Sequence, residues 1–163
     1  MYGFGSRFGA KTDYGRQKFP KDCIPVFHPE FAAYCAEKIK EKITDEMVKD
    51  PYLIGYFVDN ELPWKEGSLK RYLDLPEKDL NGKFTLDWFR KRKQVGEDKS
   101  AKELIKMVTK EDDAAFLELC AKTYFSTVAK VLKHADPNHL YFGSRLHGQA
   151  LRLAPVFKAQ APF

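Results

Sequence analysis

The sequence has few of the residues that build metal sites and disulfide frameworks. Its 163 residues include only three cysteines and four histidines. Cys23, Cys35 and Cys120 show no CxxC spacing, and such an odd, scattered set predicts neither a disulfide framework nor a zinc site. Cys35 and Cys120 fall on apolar helical stripes and are expected to be small core residues. We therefore expect no metal and no other cofactor.

Long apolar runs and nucleotide-binding motifs are also missing. No apolar run reaches the roughly 20 residues that a membrane-spanning helix needs. Residues 1–14 are polar, aromatic and glycine-rich, unlike a signal peptide. The glycines of the string GFGSRFG do not follow a strand, so they do not form a dinucleotide-binding fingerprint. We expect no membrane partner and no nucleotide cofactor.

What is present is the composition of a globular protein with a basic excess. Apolar residues make up 44% of the chain and charged residues 31%, and the formal net charge is +5. The helical segments carry charges of both signs, and the one dense basic run, residues 90–93, has no nucleic-acid motif around it. The excess therefore indicates a solvated surface rather than a nucleic-acid partner.

An apolar run that ends in polar side chains is the central feature of the sequence. Residues 52–58, YLIGYFV, are typical of a parallel strand buried on both faces. Asp59, Asn60 and Glu61 follow directly, and Trp64 comes soon after. The C-terminal ends of parallel strands are where α/β barrels place their chemistry. An acidic residue at the end of an apolar strand has little structural purpose, so Glu61 is predicted to be functional.

A second strand and three helices complete an α/β pattern. The strand is predicted at residues 139–146, and the helices at residues 29–47, 112–135 and 149–159. Pro155 is expected to kink or shorten the last helix. A strand, a helix and a second strand in this order predict a right-handed parallel crossover.

The segment between the first strand and the longest helix is expected to be irregular. Residues 59–99 contain several prolines and glycines, with a short helix near residues 86–92. Connections of this length are usually functional. We interpret the segment as a long insertion loop on the active-site side, forming a lid or wall of a substrate cleft. The S-x-x-E spacing of Ser100 and Glu103 then predicts a capping box that opens a short helix.

These residues resemble a known enzyme family. A barrel strand that ends in Asn60 and Glu61 resembles the fourth strand of the retaining (β/α)8 glycoside hydrolases. The longer string GYFVDNELPW is similar to the β-agarase-type members, and a second similar patch, DPNHLYFGSRLHG, follows at residues 136–148. The resemblance implies a (β/α)8 TIM barrel. Because a complete barrel takes about 250 residues and this chain has 163, only a partial barrel is expected. Residues 1–163 would form one catalytic-domain fragment, from the loop after the third strand to the helix after the fifth.

The resemblance implies that Glu61 is the general acid/base and that Asn60 contacts a sugar 2-hydroxyl. By their chemistry, Trp64 could stack on a pyranose ring, and Arg145 and His147 could bind hydroxyls or orient Glu61. Trp64 could instead be a core residue, and Arg145 and His147, taken singly, are better explained as ordinary surface charges. Aromatic neighbours, including Tyr56, are expected to raise the pKa of Glu61 and keep it protonated.

Two further expectations concern the backbone and the N-terminal segment. Simple alternation along a strand cannot turn both Asn60 and Glu61 inward, so a bulge or irregular end is expected, with Asp59 facing away. Residues 1–27 are predicted to be a long loop. Its aromatic residues either line a sugar groove or belong to a loosely structured terminus.

The predicted function is hydrolysis of an agarose-like, galactose-containing polysaccharide with retention of configuration. A retaining enzyme needs a second carboxylate, and the family nucleophile lies on the seventh strand, so this chain alone is expected to be inactive. The resemblance is compatible with a secreted or periplasmic parent protein. Two alternatives are a relative that acts on another β-linked glycan and a non-catalytic carbohydrate-binding α/β domain.

Overall fold

The computed structural model describes residues 19–163, so the aromatic residues predicted to line a groove within residues 1–18 lie outside it. Helices pack on one face of a small parallel sheet, and short 3-10 turns lie at Pro20–Asp22 and Gly148–Arg152. In chain order the elements are α1 (Phe31–Lys40), α2 (Asp45–Lys49), β1 (Gly55–Tyr56), α3 (Ser68–Leu73), α4 (Leu80–Lys93), α5 (Ala101–Met107), α6 (Lys110–Ala135), β2 (Leu140–Tyr141) and α7 (Ala154–Gln160).

Helix α6 is the scaffold against which α1, α3 and α7 pack. It begins two residues before the predicted start, because Thr109 and Asp112 form a capping box with reciprocal side-chain and backbone hydrogen bonds. The stripe predicted from the sequence is buried, and each such large apolar side chain contributes about 1.5–3 kcal/mol of burial free energy. Its fully or almost fully buried members are Phe116, Leu117, Cys120, Tyr124, Val128 and Leu132.

The helix predicted at residues 29–47 is instead two helices. Helix α1 buries Phe31, Cys35 and Ile39 as the periodicity predicts. It ends at Lys40, and α2 starts after Thr44, whose hydroxyl accepts a hydrogen bond from the Met47 N–H at 3.3 Å. An internal capping threonine therefore starts a new helix where the apolar spacing alone suggested continuity.

The strands pair in parallel, as predicted, but the expectation of a strand buried on both faces is wrong for the described part of the chain. Gly55 pairs with Leu140 and Tyr56 with Tyr141. A Cβ at Gly55 would lie 2.3 Å from the Leu140 carbonyl oxygen, so only glycine permits this approach. One face packs on the helices. On the other, which we call the apolar sheet face (Phe57, Leu140 and Phe142), the Phe57 side chain is 66% exposed.

About half of residues 59–99 lie in helices α3 and α4, so the segment is more regular than the single short helix expected near residues 86–92. Helix α3 is tied to α6 by the Asp113 carboxylate, which accepts hydrogen bonds from the N–H groups of Gly67 and Leu69. Helix α4 begins at a side-chain cap from Asp79. Gly82 lowers the helix propensity of α4, but a Cβ there would lie 3.1 Å from Leu75. The glycine thus allows close packing that a propensity argument misses.

The remaining local predictions have mixed outcomes. The capping box of Ser100 and Glu103 is confirmed. The helix predicted at residues 149–159 is shortened rather than kinked: α7 starts at Ala154, with Pro155 in its first turn, where proline starts a helix. Cys35 is buried, and its burial raises the pKa of its thiol to about 12. No helix within residues 19–163 has both the length and the apolar character that a bilayer span requires.

A buried polar cluster joins the elements at the N-terminal end of the sheet. The Asp136 carboxylate accepts a hydrogen bond from the Tyr56 hydroxyl at 2.6 Å and lies 2.6 Å from His139 Nδ1. The other ring nitrogen of His139 is 3.0 Å from the Asp50 carbonyl oxygen. Since both ring nitrogens face acceptors, Asp136 and the Asp50 carbonyl raise the pKa of His139 against the effect of burial.

The same cluster lowers the pKa of Asp136 to about 2. Burial opposes ionisation of this carboxyl, but hydrogen bonds from Tyr56, His139 and two backbone N–H groups outweigh it. The cluster therefore favours the ionised form of the Asp136 carboxyl and the protonated form of the His139 imidazole.

This cluster predicts a stability maximum on the acidic side of neutrality. The lowered pKa of Asp136 stabilises the fold at pH values above 3.8, its pKa in the unfolded chain. This stabilisation is lost as the pH falls through about 2. A raised imidazole pKa stabilises the fold below the unfolded value of 6.5, and this contribution is lost as the pH rises through the folded value. Thermal unfolding of His139→Gln should lack the decline above pH 6.5, whereas the exposed-site control His134→Gln should keep it. A wild-type slope in His139→Gln would contradict the assignment.

The apolar sheet face predicts self-association of the isolated chain. Exposed apolar sheet surfaces pair with other copies, so Phe57→Ser should shift sedimentation toward the monomer. Leu151→Ser is the matched control, because Leu151 is also exposed, at 55%, but lies in the Gly148–Arg152 turn. Equal association of both variants would show that this face is not the contact surface.

Candidate functional site

The polar residues that follow β1 and β2 lie side by side at the C-terminal end of the sheet. Asn60 forms a parallel bridge with Arg145, and the Glu61 N–H donates to the Arg145 carbonyl at 2.9 Å. The Arg145 guanidinium donates to Glu61 Oε1, and the charge of His147 also acts on Glu61. We call Asn60, Glu61, Arg145 and His147 the rim. The structure thus brings together four of the five candidate residues.

The backbone of this segment leaves the strand conformation twice. Asp59 has φ 63° and Glu61 has φ 54°, both in the left-handed region that non-glycine residues rarely occupy. These residues break the simple alternation of side chains, as expected from the sequence, which predicted an irregular strand end. Asp59 faces helix α6, where its carboxylate accepts a hydrogen bond from the Tyr124 hydroxyl at 2.6 Å.

The expected rise in the pKa of Glu61 is wrong for this arrangement. The hydrogen bond from Arg145 lowers the pKa of the Glu61 carboxyl, and the charge of His147 and a hydrogen bond from Asn60 add to this effect. Partial burial opposes these interactions but does not outweigh them. Glu61 is therefore held as a carboxylate, paired with a guanidinium at an exposed position.

The two aromatic residues expected beside Glu61 lie elsewhere. Trp64 is only 4% exposed and packs edge-on against Tyr124, with ring centroids 5.8 Å apart, and against Phe125. It is a core residue, so the expectation that it stacks on a sugar is wrong. The Tyr56 hydroxyl bonds to Asp136 at the opposite end of the sheet. The Trp64 backbone N–H donates to the Leu62 carbonyl at 2.7 Å, so the chain turns tightly after Glu61 and Trp64 enters the core.

Sequence reasoning missed the contact between Tyr124 and Asp59. Tyr124 was expected only as one member of the apolar stripe of α6. The available signal was its hydroxyl, because a buried tyrosine usually finds a hydrogen-bond partner. The apolar periodicity of α6 does not identify that partner, because Asp59 lies 65 residues away in the chain.

A separate cleft of about 500 Å³ lies where the loops after both strands approach the start of α6. Lys70, Lys110 and Arg152 line it together with apolar residues, but no rim residue does.

Within residues 19–163, no group of three or more His, Cys, Asp or Glu side chains could hold a metal ion. The rim itself offers a carboxylate, an amide, a guanidinium and an imidazole.

Comparison with curated proteins finds a similar sequence. No family model matches the chain. β-Agarase B of Vibrio sp. (strain JT0107) is 27% identical over 146 residues, which is 72% of this chain and 15% of that protein. The chain is similar to agarases. It spans only a small part of this relative.

Solved structures show the same fold. An exo-β-agarase matches 85% of this chain with a TM-score of 0.70 and 21% identity. BpGH50 matches 90% with a TM-score of 0.69 and 26% identity, and the agarase AgWH50C matches 85% with a TM-score of 0.68 and 25% identity. The chain covers 22%, 33% and 23% of these three structures. These similarities, in sequence and in fold, support a relationship to agarase-like glycoside hydrolases.

The rim makes a direct prediction about Glu61. Arg145→Ala removes the hydrogen bond that lowers the pKa of Glu61, so this pKa should rise toward the ordinary value of 4.5. Carboxyl-detected NMR titration of the chain measures it. Arg152→Ala, which removes an arginine of the separate cleft, is the control and should leave the Glu61 titration unchanged. A Glu61 titration that is the same in wild type and Arg145→Ala would contradict the assigned pairing.

Proposed function

We propose that this chain is a segment of a retaining (β/α)8 glycoside hydrolase that cleaves an agarose-like galactan, with Glu61 as the general acid/base. The observation that carries the proposal is the position of Glu61 after a parallel strand, beside Asn60 and Arg145. The similarity of the chain to β-agarase B and to solved agarase structures supports it.

We assign β1 and β2 to the fourth and fifth strands of a partial barrel. Their parallel pairing, with helices α3 to α6 between them, supports this assignment. The apolar sheet face supports it too, because barrel strands bury both of their faces. In this assignment residues 59–99 are an insertion on the active-site side, built from α3 and α4.

The rim residues then have defined tasks. Protonated Glu61 delivers its proton to the glycosidic oxygen while a second carboxylate attacks the anomeric carbon. Glu61, now ionised, removes a proton from the water that cleaves the glycosyl intermediate. The Asn60 amide holds the sugar 2-hydroxyl. Arg145 and His147 orient Glu61 and stabilise its ionised form.

The lowered pKa of Glu61 suits the second step, in which it acts as a base. The first step requires a proton on Glu61. A second carboxylate about 5–5.5 Å away would disfavour ionisation of Glu61 and raise its pKa. Bound sugar would act in the same direction, because it removes water from the rim.

The second carboxylate is proposed to come from a later segment of the longer protein. Within residues 19–163, Asp59 is the nearest acid in sequence, but it faces α6. Glu66 lines the separate cleft. The chain alone is therefore proposed to lack turnover.

A non-catalytic carbohydrate-binding role is the second candidate. The pairing of Glu61 with Arg145 favours it, because an ionised, neutralised carboxylate can bind hydroxyls without transferring a proton. A relative that acts on another β-linked glycan would share the rim and differ in substrate.

Substitution of Glu61 in the full-length protein separates these functions. With agarose oligosaccharides, Glu61→Gln should lower kcat by about 10²–10⁴-fold while binding is kept, because general acid–base catalysis contributes that much. The control Glu66→Gln should keep wild-type kcat. Parallel assays on a β-mannan and a second galactan test the choice of glycan.

Three results would contradict the proposal in different ways. Wild-type turnover by Glu61→Gln would exclude the acid/base role. Binding of oligosaccharide without turnover by the full-length wild type would favour the binding domain. Hydrolysis by the 163-residue chain, lost in Glu61→Gln, would show that the second carboxylate is present within it.

A further inference from the structure

Helix α6 contacts the residues just before the rim through the Tyr124 hydroxyl, which lies 3.5 Å from the Val58 carbonyl oxygen. The Tyr124 hydroxyl donates to Asp59 Oδ2 at 2.6 Å. Asp59 precedes Asn60 and Glu61, and its carbonyl oxygen accepts a hydrogen bond from the Arg145 N–H at 3.4 Å. Asp59 therefore touches both α6 and the partner of Glu61.

The Asp59 backbone needs support in its observed conformation. Its φ of 63° lies in the left-handed region, which side chains disfavour unless the surroundings hold the residue there. If Asp59 returned to an extended conformation, the following peptide groups would rotate. Asn60 would then lose its bridge to Arg145, and Glu61 would leave the guanidinium.

The donor of this hydrogen bond is held rigidly. Tyr124 is fully buried near the middle of the 26-residue helix α6. Its ring packs against Phe31, Trp64 and Phe125, with centroids 6.2, 5.8 and 5.1 Å away. The hydroxyl thus occupies a defined position. Its role is separate from packing, because phenylalanine would fill the same space.

We propose that Tyr124 is a positioning residue that holds Asp59 in its left-handed conformation and so places Asn60 and Glu61 against Arg145. The role in catalysis rests on the proposed function of Glu61. Trp64, which follows Glu61 in the sequence, packs against the same tyrosine ring.

The chain offers a matched control in Tyr141. Its side chain is also buried, and the charge of Asp59 contributes to raising its pKa, after burial itself. Its hydroxyl has no hydrogen-bond partner within residues 19–163. Tyr141→Phe therefore removes a buried hydroxyl from the same region without removing the bond to Asp59.

Kinetics of the full-length protein test the proposal. Tyr124→Phe should lower kcat on agarose oligosaccharides on the order of 100-fold, as expected for a misplaced catalytic group, with little change in KM. Tyr141→Phe should keep wild-type kcat. Asp59→Asn retains an acceptor and tolerates the left-handed conformation, so it should keep more activity than Asp59→Ala.

A second measurement does not depend on turnover. In the 163-residue chain, NMR titration of the Glu61 carboxyl should shift toward its ordinary range in Tyr124→Phe and in Asp59→Ala. It should stay at the wild-type position in Tyr141→Phe. If Tyr124→Phe does not fold, the comparison of Asp59→Asn with Asp59→Ala tests the same contact.

The outcomes distinguish this proposal from the acid/base assignment. Wild-type kcat and an unchanged Glu61 titration in Tyr124→Phe would overturn it, and so would equal losses in Tyr124→Phe and Tyr141→Phe. Wild-type turnover by Glu61→Gln would instead contradict the proposed function. The Glu61 titration would still decide whether Tyr124 positions that residue.

Discussion

Parallel pairing between β1 and β2 aligns the two polar segments of the chain. Gly55 permits the close approach to Leu140, and the pairing continues past the strands through the bond from Val58 N–H to the Gly143 carbonyl at 2.9 Å. It ends at the bridge between Asn60 and Arg145. Without this register, Glu61 and Arg145, which are 84 residues apart in sequence, would not meet. The rim is therefore a product of sheet register.

The two ends of the sheet use carboxylates in opposite ways. At the N-terminal end, Asp136 is fully buried and its hydrogen bonds are satisfied by Tyr56, His139 and backbone N–H groups, so it stabilises the fold. At the C-terminal end, Glu61 is exposed and accepts a hydrogen bond from the Arg145 guanidinium, so its carboxylate remains accessible to a ligand. The role proposed for Glu61 agrees with (β/α)8 barrels, whose active sites lie at the C-terminal ends of the strands.

Helix α6 connects the peripheral helices to the site. Asp112 in its first turn pairs with Arg92 and Lys93 of α4, and Asp113 caps the start of α3. Further along, Tyr124 reaches Asp59. One rigid helix thus holds both the segment that follows the rim and the residue that precedes it. This arrangement gives α6 a part in site geometry as well as in the core.

Local patterns in the sequence determined the long amphipathic helix, the capping box of Ser100 and Glu103 and the polar residues after an apolar strand, because helix faces and strand ends depend on neighbours in the chain. The expected parallel pairing of the two strands placed Asn60, Glu61, Arg145 and His147 at one end of the sheet, but it placed Trp64 there as well. Only the tertiary structure decided that Trp64 is buried. It also decided that Arg145 lowers the pKa of Glu61 and that Tyr124 bonds to Asp59. These properties depend on side chains from distant segments, whose charge and distance no local periodicity contains.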